Sequence, residues 1–215
     1  MTTQEFSVEF DVLYNNLASN TAPPIDEYEK SVLLTKAQSD IVIELYSGRN
    51  NLGLSYESSE EVRKYLKGLL IKKEVTYEAS GIPQEYKVTT IPDIWVITRE
   101  EIGGIPVIPI TQDEYSRIKN NPFKTANAFR ALRVADEAGY ILRFTNPTSS
   151  KYIVWGLKRP TPIILEGIGD PTLTIEGYDA SSLKECELDS SLHRMILDRA
   201  VLYAKQAYIG GQTQE

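Results

Sequence analysis

One stretch near the end of the chain decides the fold: ECELDSSLHRMILDRAVLYAKQAY, residues 185–208. Its apolar side chains recur at every fourth position, which predicts an amphipathic helix with one buried face. The apolar positions are Leu188, Leu192, Ile196, Ala200, Ala204 and Tyr208, with Met195 and Tyr203 alongside. Oxygens of the Asp-Ser-Ser sequence at 189–191 could cap the first N–H groups. Gly210-Gly211 predicts the end of the helix.

Three more helices are predicted before residue 70. The first runs from Phe6 to Leu17 and is broken by Thr21-Ala22-Pro23-Pro24. Asp26 and Glu29 form a capping pair that opens a second helix, which Gly48 ends. The capping box Ser58-x-x-Glu61 opens a third.

The pattern changes at Ile71, where β-branched and aromatic residues come in short runs separated by Gly and Pro. Strands are predicted at 75–78, 86–91, 93–98, 107–110, 162–165 and 173–175. Thr111-x-x-Glu114 predicts a short helix that stops before Pro122. The runs Tyr140–Thr145 and Tyr152–Leu157 predict a β-hairpin around Asn146–Lys151.

Helices followed by strands and then one more helix are typical of an α+β fold rather than an α/β fold. We predict that the N-terminal helices and the long C-terminal helix form a helical bundle with a β-rich middle insertion. The predicted parts are 1–70 (N-terminal helices), 71–184 (β-rich, with one short helix) and 185–215 (a C-terminal helix packing back on the N-terminal ones).

Composition narrows the range of functional classes to which the chain can belong. With 41% hydrophobic and 25% charged residues the chain is an ordinary globular one. Its net charge of −7 argues against a free-standing nucleic-acid binder, because phosphate contacts need Lys and Arg. The same charge suits a wall past which DNA slides, since like charges repel. The N-terminus lacks a signal peptide and no apolar run could span a bilayer, so we expect folding in a cytoplasm and no membrane partner.

Residues suited to catalysis are scarce. Cys186 and His193 are the only cysteine and histidine, so neither an intrachain disulfide nor a zinc site within one chain is possible. A Cys–His dyad lacks an orienting residue, and a buried thiol with a surface or capping imidazole is the favoured interpretation. No phosphate-binding, dinucleotide or hydrolase motif occurs; Gly167-Ile168-Gly169-Asp170 runs into Pro171 and indicates a turn. We predict no catalytic residue, metal or cofactor.

The segment from Lys119 to Arg133 departs from the acidic balance. Its basic residues are Lys119, Lys124, Arg130 and Arg133, interspersed with Phe123 and Phe129. One interpretation is contact with DNA phosphates or an acidic partner. The other, favoured because short basic runs are common on surfaces, is a solvated loop whose phenylalanines anchor it to the β core.

Three stretches carry a family resemblance: 9–38, which begins EFDVLYNNL; 114–123 with 157–165; and 185–208. They resemble the virion ring proteins, or head-to-tail connectors, of crAss-like tailed bacteriophages. The resemblance implies a homo-oligomeric ring of about twelve copies, built through heterologous contacts. It further implies docking to the portal and other tail ring proteins, with genomic DNA passing through the lumen without sequence recognition.

Two other classes stay open from the residues themselves. One is a soluble, non-virion binding or regulatory module, monomeric or dimeric and without enzymatic activity. The other is an enzyme that uses Cys186 or His193.

Overall fold

The structure, a computed structural model, describes residues 1–17, 23–50, 53–118, 121, 123–137, 139–145, 151–168, 170 and 172–212. Its elements are α1 (Thr3–Leu17), α2 (Glu27–Ser47), α3 (Glu60–Tyr65), β1 (Leu70–Val75), β2 (Glu78–Ala79), β3 (Glu85–Val88), β4 (Val96–Ile102), β5 (Ile105–Ile110), α4 (Gln112–Ile118), β6 (Ala131–Asp136), β7 (Gly139–Arg143), β8 (Tyr152–Leu157), β9 (Thr174–Ile175), β10 (Tyr178–Asp179) and α5 (Ser190–Gln212). The predicted features at Thr21-Ala22, Pro122, 146–150, Gly169 and Pro171 lie outside the described residues.

The chain forms two compact units. The helical unit comprises Met1–Leu69 and Pro160–Glu215, and the β unit comprises Leu70–Arg159. The α+β class is confirmed, with helices from both chain ends and a large sheet between them in sequence. The segment 160–184, which sequence reasoning groups with the strands, lies in the helical unit.

Helix α5 is the centre of the helical unit and packs against α2 and α1. The predicted apolar stripe is buried from Leu188 to Ala204, whereas Met195 is 46% exposed. On α1 and α2 the buried side chains include Phe6, Phe10, Leu34, Ala37 and Ile41, and the Phe6 ring centre lies 5.5 Å from that of His193 on α5. The prediction that Gly210-Gly211 ends α5 is wrong, because both residues keep helical backbone. Glycine weakens a helix by about 1 kcal/mol but ends one only when it turns left-handed.

Local capping sets the helix ends. Asp26 accepts a hydrogen bond from the Glu29 N–H at 2.7 Å, and Gly48 closes α2 with φ of 75°, as predicted. The cap of α3 is Ser59 rather than the predicted Ser58. Ser58 instead accepts from the Ser55 N–H at 2.9 Å in the preceding turn.

The predicted strand at 162–165 is wrong, because the segment forms one isolated bridge, between Ile164 and Lys184. Side chains of α2 form hydrogen bonds with its backbone instead. Thr35 Oγ1 accepts from the Ile163 N–H at 3.1 Å, and Ser31 Oγ accepts from the Leu165 N–H at 3.0 Å. Positions 31 and 35 are one helical turn apart, so they face the same extended segment.

The β unit is one eight-stranded sheet in the order β1-β8-β4-β5-β6-β7-β3-β2. Neighbours are antiparallel except β5 and β6, which are parallel. The predicted hairpin of 140–145 with 152–157 is wrong: β7 pairs with β6 and β3, while β8 pairs with β1 and β4. Strand β8 already has a neighbour on each edge, so no edge is left for β7.

Parallel neighbours cannot be joined by a tight turn, so β5 and β6 need a crossover. Here α4 and the residues up to Arg130 supply it. The predicted capping box of α4 is confirmed: the Glu114 N–H donates to Thr111 Oγ1 at 3.3 Å, and the Thr111 N–H donates to Glu114 Oε2 at 3.4 Å. The crossover contains most of the basic segment singled out in the sequence.

Candidate assembly interface

The loop Phe123–Arg130, here called the aromatic loop, is held closed by polar contacts. Arg130 Nη2 donates to the carbonyl oxygens of Phe123 at 2.6 Å and Thr125 at 3.1 Å, and its Nε donates to Thr125 at 3.2 Å. Asn127 Oδ1 accepts from the Phe129 N–H at 2.9 Å, and Ala126 is buried. A charged guanidinium bridging two carbonyls makes strong hydrogen bonds, so the loop has a defined conformation.

Two phenylalanines project from this loop into solvent. Phe123 is 88% exposed and Phe129 is 84% exposed. The interpretation that they anchor the loop to the β core is therefore wrong. The Arg130 contacts and buried Ala126 hold the loop without them. Large aromatic side chains held exposed on an ordered surface are typical of interaction sites.

The four predicted basic contact residues have different surroundings. Lys119 lies outside the described residues. The Lys124 side chain is exposed, while Arg130 is engaged with the loop carbonyls. Arg133 lies on β6, and its side chain is only 13% exposed. The role of these residues in contacting DNA or a partner stays a prediction.

Arg133 belongs to a buried network in the β unit. Its Nε donates to both carboxylate oxygens of Glu100, at 2.9 and 2.8 Å, and its guanidinium lies 4.6 Å from the Tyr140 ring centre. The Tyr152 hydroxyl donates to Glu100 Oε2 at 2.6 Å. Burial, reinforced by the Glu100 charge, raises the pKa of Tyr152. Arg133 thus neutralises a buried carboxylate inside the unit.

Helices α2, α3 and α5 enclose a cleft of about 230 Å³, here called the three-helix cleft. Its apolar lining includes Ile41, Leu45, Val62, Leu192 and the partly exposed Met195. Two carboxylates also line it: Glu44, paired with Arg199, and Glu61, which accepts from the Tyr65 hydroxyl. No sequence pattern singled this cleft out, because the residues that line it come from separate helices.

A second, more open cleft of about 350 Å³ lies where α1, α2 and the end of α5 meet. Tyr14, Val32, Ala204 and Tyr208 line it, with Glu29 as its carboxylate. The helical unit therefore offers two apolar depressions, of which the three-helix cleft is the more enclosed.

Comparison with known proteins identifies the context of these surfaces. Residues 1–215, the whole chain, match the model of the family described as "Phage tail ring protein 3/4". The chain belongs to this family. Two similar proteins come from Bacteroides phage crAss001. "Ring protein 3" is 37% identical over 221 residues, 95% of each chain, and "Ring protein 4/5" is 35% identical over 227 residues, 98% of this chain and 94% of the relative.

The resemblance to crAss-like phage ring proteins is thus confirmed, and the chain is a structural ring protein of a phage virion. Ring proteins work in oligomeric assemblies with other tail proteins, so the exposed loop and the clefts are the surfaces of interest. No helix within the described parts of the chain is both long enough and apolar enough to cross a bilayer.

Cys186 and His193 each have their own hydrogen-bond partners. The Cys186 thiol donates to Gln38 Oε1 at 3.2 Å, and burial raises its pKa to about 11, so the thiol is protonated and a poor nucleophile at neutral pH. His193 is buried, so the surface alternative for its imidazole is wrong. Its Nδ1 lies 2.6 Å from the Met1 nitrogen and its Nε2 lies 3.1 Å from the Leu188 carbonyl oxygen.

Within the ranges that the structure describes, no three His, Cys, Asp or Glu side chains are grouped so that they could hold a metal ion. Sequence reasoning missed that the two phenylalanines are exposed and that a cleft lies between the three helices. Both features depend on which side chains the tertiary fold covers.

Proposed function

We propose that this ring protein forms a closed ring of about twelve copies that docks to the portal and joins capsid to tail. Genomic DNA passes through the lumen without sequence recognition. The observation that carries the proposal is the match of the entire chain to the tail ring family, supported by two ring proteins of one phage at 35–37% identity.

The mechanism is geometric and electrostatic, and no bond is made or broken. A cyclic ring joins one patch of a subunit to a different patch of the next. The net charge of −7 supports a role as a DNA conduit, because an acidic wall repels the phosphate backbone and lets DNA slide. The ring is assembled in the host cytoplasm and carried in the virion neck.

Similarity to two differently named rings suggests a place in a stack. The chain is almost equally identical to a protein named for ring 3 and to one named for rings 4/5. We infer that its ring lies within a series of related rings, where each ring presents one face to the ring above and another to the ring below.

The test is the mass of the purified protein by native mass spectrometry, alone and mixed with the portal protein of its phage. A ring of about twelve copies, or a stable complex with the portal, supports the proposal. If the protein stays monomeric, does not bind the portal and is missing from purified virions, the proposal is contradicted. That result favours the non-virion binding module.

A further inference from the structure

We propose that the aromatic loop of one copy inserts into the three-helix cleft of the neighbouring copy, and that this contact holds the ring together. The inference rests on the proposed ring and deepens it by naming the two surfaces that meet. The occupant of the cleft is a second copy of this chain.

The loop is organised before it binds. Arg130 ties the carbonyl groups of Phe123 and Thr125 together, and Asn127 fixes the backbone at Phe129. A loop already held in one conformation loses little conformational entropy on association. Two phenyl groups at 88% and 84% exposure then bury apolar area of roughly 150–250 Å² each when they enter a pocket.

The cleft fits such an occupant in size and chemistry. An apolar cavity of about 150 Å³ is enough to bind benzene, and the three-helix cleft, at about 230 Å³, accommodates one of the two rings while the other packs at its rim. Its accessible apolar surface includes Leu54, which is 36% exposed, and lies over the buried Ile41 and Leu192. Met195 lies in its wall with 46% of its surface exposed, and an unbranched thioether adapts readily to an aromatic ring.

Charge is compatible with this contact. Lys124, next to Phe123 in the chain, is exposed and forms no ion pair within the described residues. In the three-helix cleft Arg199 neutralises Glu44, which leaves the exposed carboxylate of Glu61 to face the lysine. A lysine facing an acidic rim steers and orients association.

The DNA backbone is a weaker candidate for binding the loop surface. Phosphate binding needs several free cations. Arg130 is engaged with loop carbonyls and Arg133 with Glu100, which leaves Lys124 as the exposed basic side chain in the described part of the segment. A projecting loop and a concave cleft are different patches, as a heterologous ring contact requires.

The first experiment compares the double variant Phe123→Ala, Phe129→Ala with wild type by native mass spectrometry, with and without portal. Interface anchors typically cost tenfold or more in affinity when truncated, so we expect rings to be lost at concentrations where wild type forms them. The matched control is Ile82→Ala, another exposed apolar residue of the β unit (49%), which should leave rings intact. Rings of normal mass from the double variant overturn the inference.

The second experiment maps the contact. In a Cys186→Ser background, Ala128→Cys, an exposed position of the aromatic loop that leaves both phenylalanines in place, is combined with Met195→Cys, and a short bifunctional maleimide is added to assembled rings. We expect a ladder of cross-linked copies, and none when Ala128→Cys is combined with Val32→Cys in the open cleft. A ladder through Val32 alone, or no ladder from intact rings, overturns the assignment. Failure of wild type itself to form rings or bind portal contradicts the proposed function instead.

Discussion

Glu100 and Glu101 are adjacent on β4, yet the two carboxylates have different surroundings. The Glu100 side chain is 3% exposed and pairs with a largely buried Arg133. Glu101 pairs with Arg99, whose side chain is 70% exposed. A buried ion pair is costly to break because removing one partner leaves the other charge without compensation, whereas an exposed pair contributes little.

We therefore predict that Glu100→Gln lowers the free energy of unfolding of the β unit by about 3–5 kcal/mol. Its neighbour variant, Glu101→Gln, should lower it by less than about 1 kcal/mol. Both tryptophans, Trp95 and Trp155, lie in the β unit, so urea unfolding followed by tryptophan fluorescence measures that unit alone. Equal effects of the two variants would contradict the role assigned to Arg133.

His193 gives a second prediction at this scale, on pH. Burial lowers the pKa of its imidazole below the ordinary value of 6.5, although the hydrogen bond to the Leu188 carbonyl opposes the shift. The unfolded chain then binds the proton more readily than the folded chain. Stability of the helical unit is therefore fully present above pH 6.5 and falls as the pH drops below it.

This histidine is the only one in the chain, so a single imidazole signal can be followed by NMR. We expect its titration midpoint to lie below 6.5, and the helical unit to be less stable at pH 5.5 than at pH 7.5. The variant His193→Gln should remove most of that difference. A midpoint at or above 6.5 would show that the imidazole is not desolvated.

At the scale of elements, α5 has a buried and an exposed face whose contributions can be separated. Ile196 is fully buried among the helices, while Leu202 on the same helix is 49% exposed. We predict that Ile196→Ala lowers the free energy of unfolding of the helical unit by about 2–5 kcal/mol. Leu202→Ala should change it by no more than about 0.5 kcal/mol. Circular dichroism at 222 nm during urea unfolding measures both.

The helices were predictable because their signals are local. The Asp26 cap, the Gly48 terminus and the α4 capping box each depend on residues within four positions. Strand pairing is different, since β8 takes its neighbours from β1 and β4, fifty or more positions away. No local pattern distinguishes this arrangement from a hairpin with β7.

The candidate interface was likewise predictable only in part. The sequence singled out the segment that forms the aromatic loop, because clustered basic and aromatic residues are visible in any window. It could not show that Arg133 faces a buried Glu100 thirty-three positions earlier, or that Phe123 lacks a covering side chain. The Arg133–Glu100 contact depends on strand pairing, because β5 lies between β4 and β6 in the sheet.

At the scale of the whole molecule, the points where the chain enters and leaves the β unit lie close together. Leu70, the first residue of the unit, pairs with Leu157, two residues before its end, and such partners are about 5 Å apart. A short linker of about four residues can therefore join Leu69 to Pro160. We therefore expect that removal of the sheet leaves the ends of the helical unit close enough to reconnect.

We predict that a chain with residues 70–159 replaced by such a linker folds, with cooperative helix unfolding by circular dichroism. The separate fragment 70–159 should fold too, with a cooperative transition in tryptophan fluorescence. Non-cooperative unfolding of either product would show that the unit needs the rest of the chain.

The same shortened chain also tests the ring. It keeps the three-helix cleft but lacks the aromatic loop, so each copy has the receiving surface without the inserting one. A heterologous ring needs both surfaces on every subunit. We expect native mass spectrometry to find it monomeric where wild type forms rings, and to find that it blocks ring closure when mixed in excess with wild type, because it accepts a loop and offers none. Full rings built from the shortened chain would place the subunit contact entirely within the helical unit.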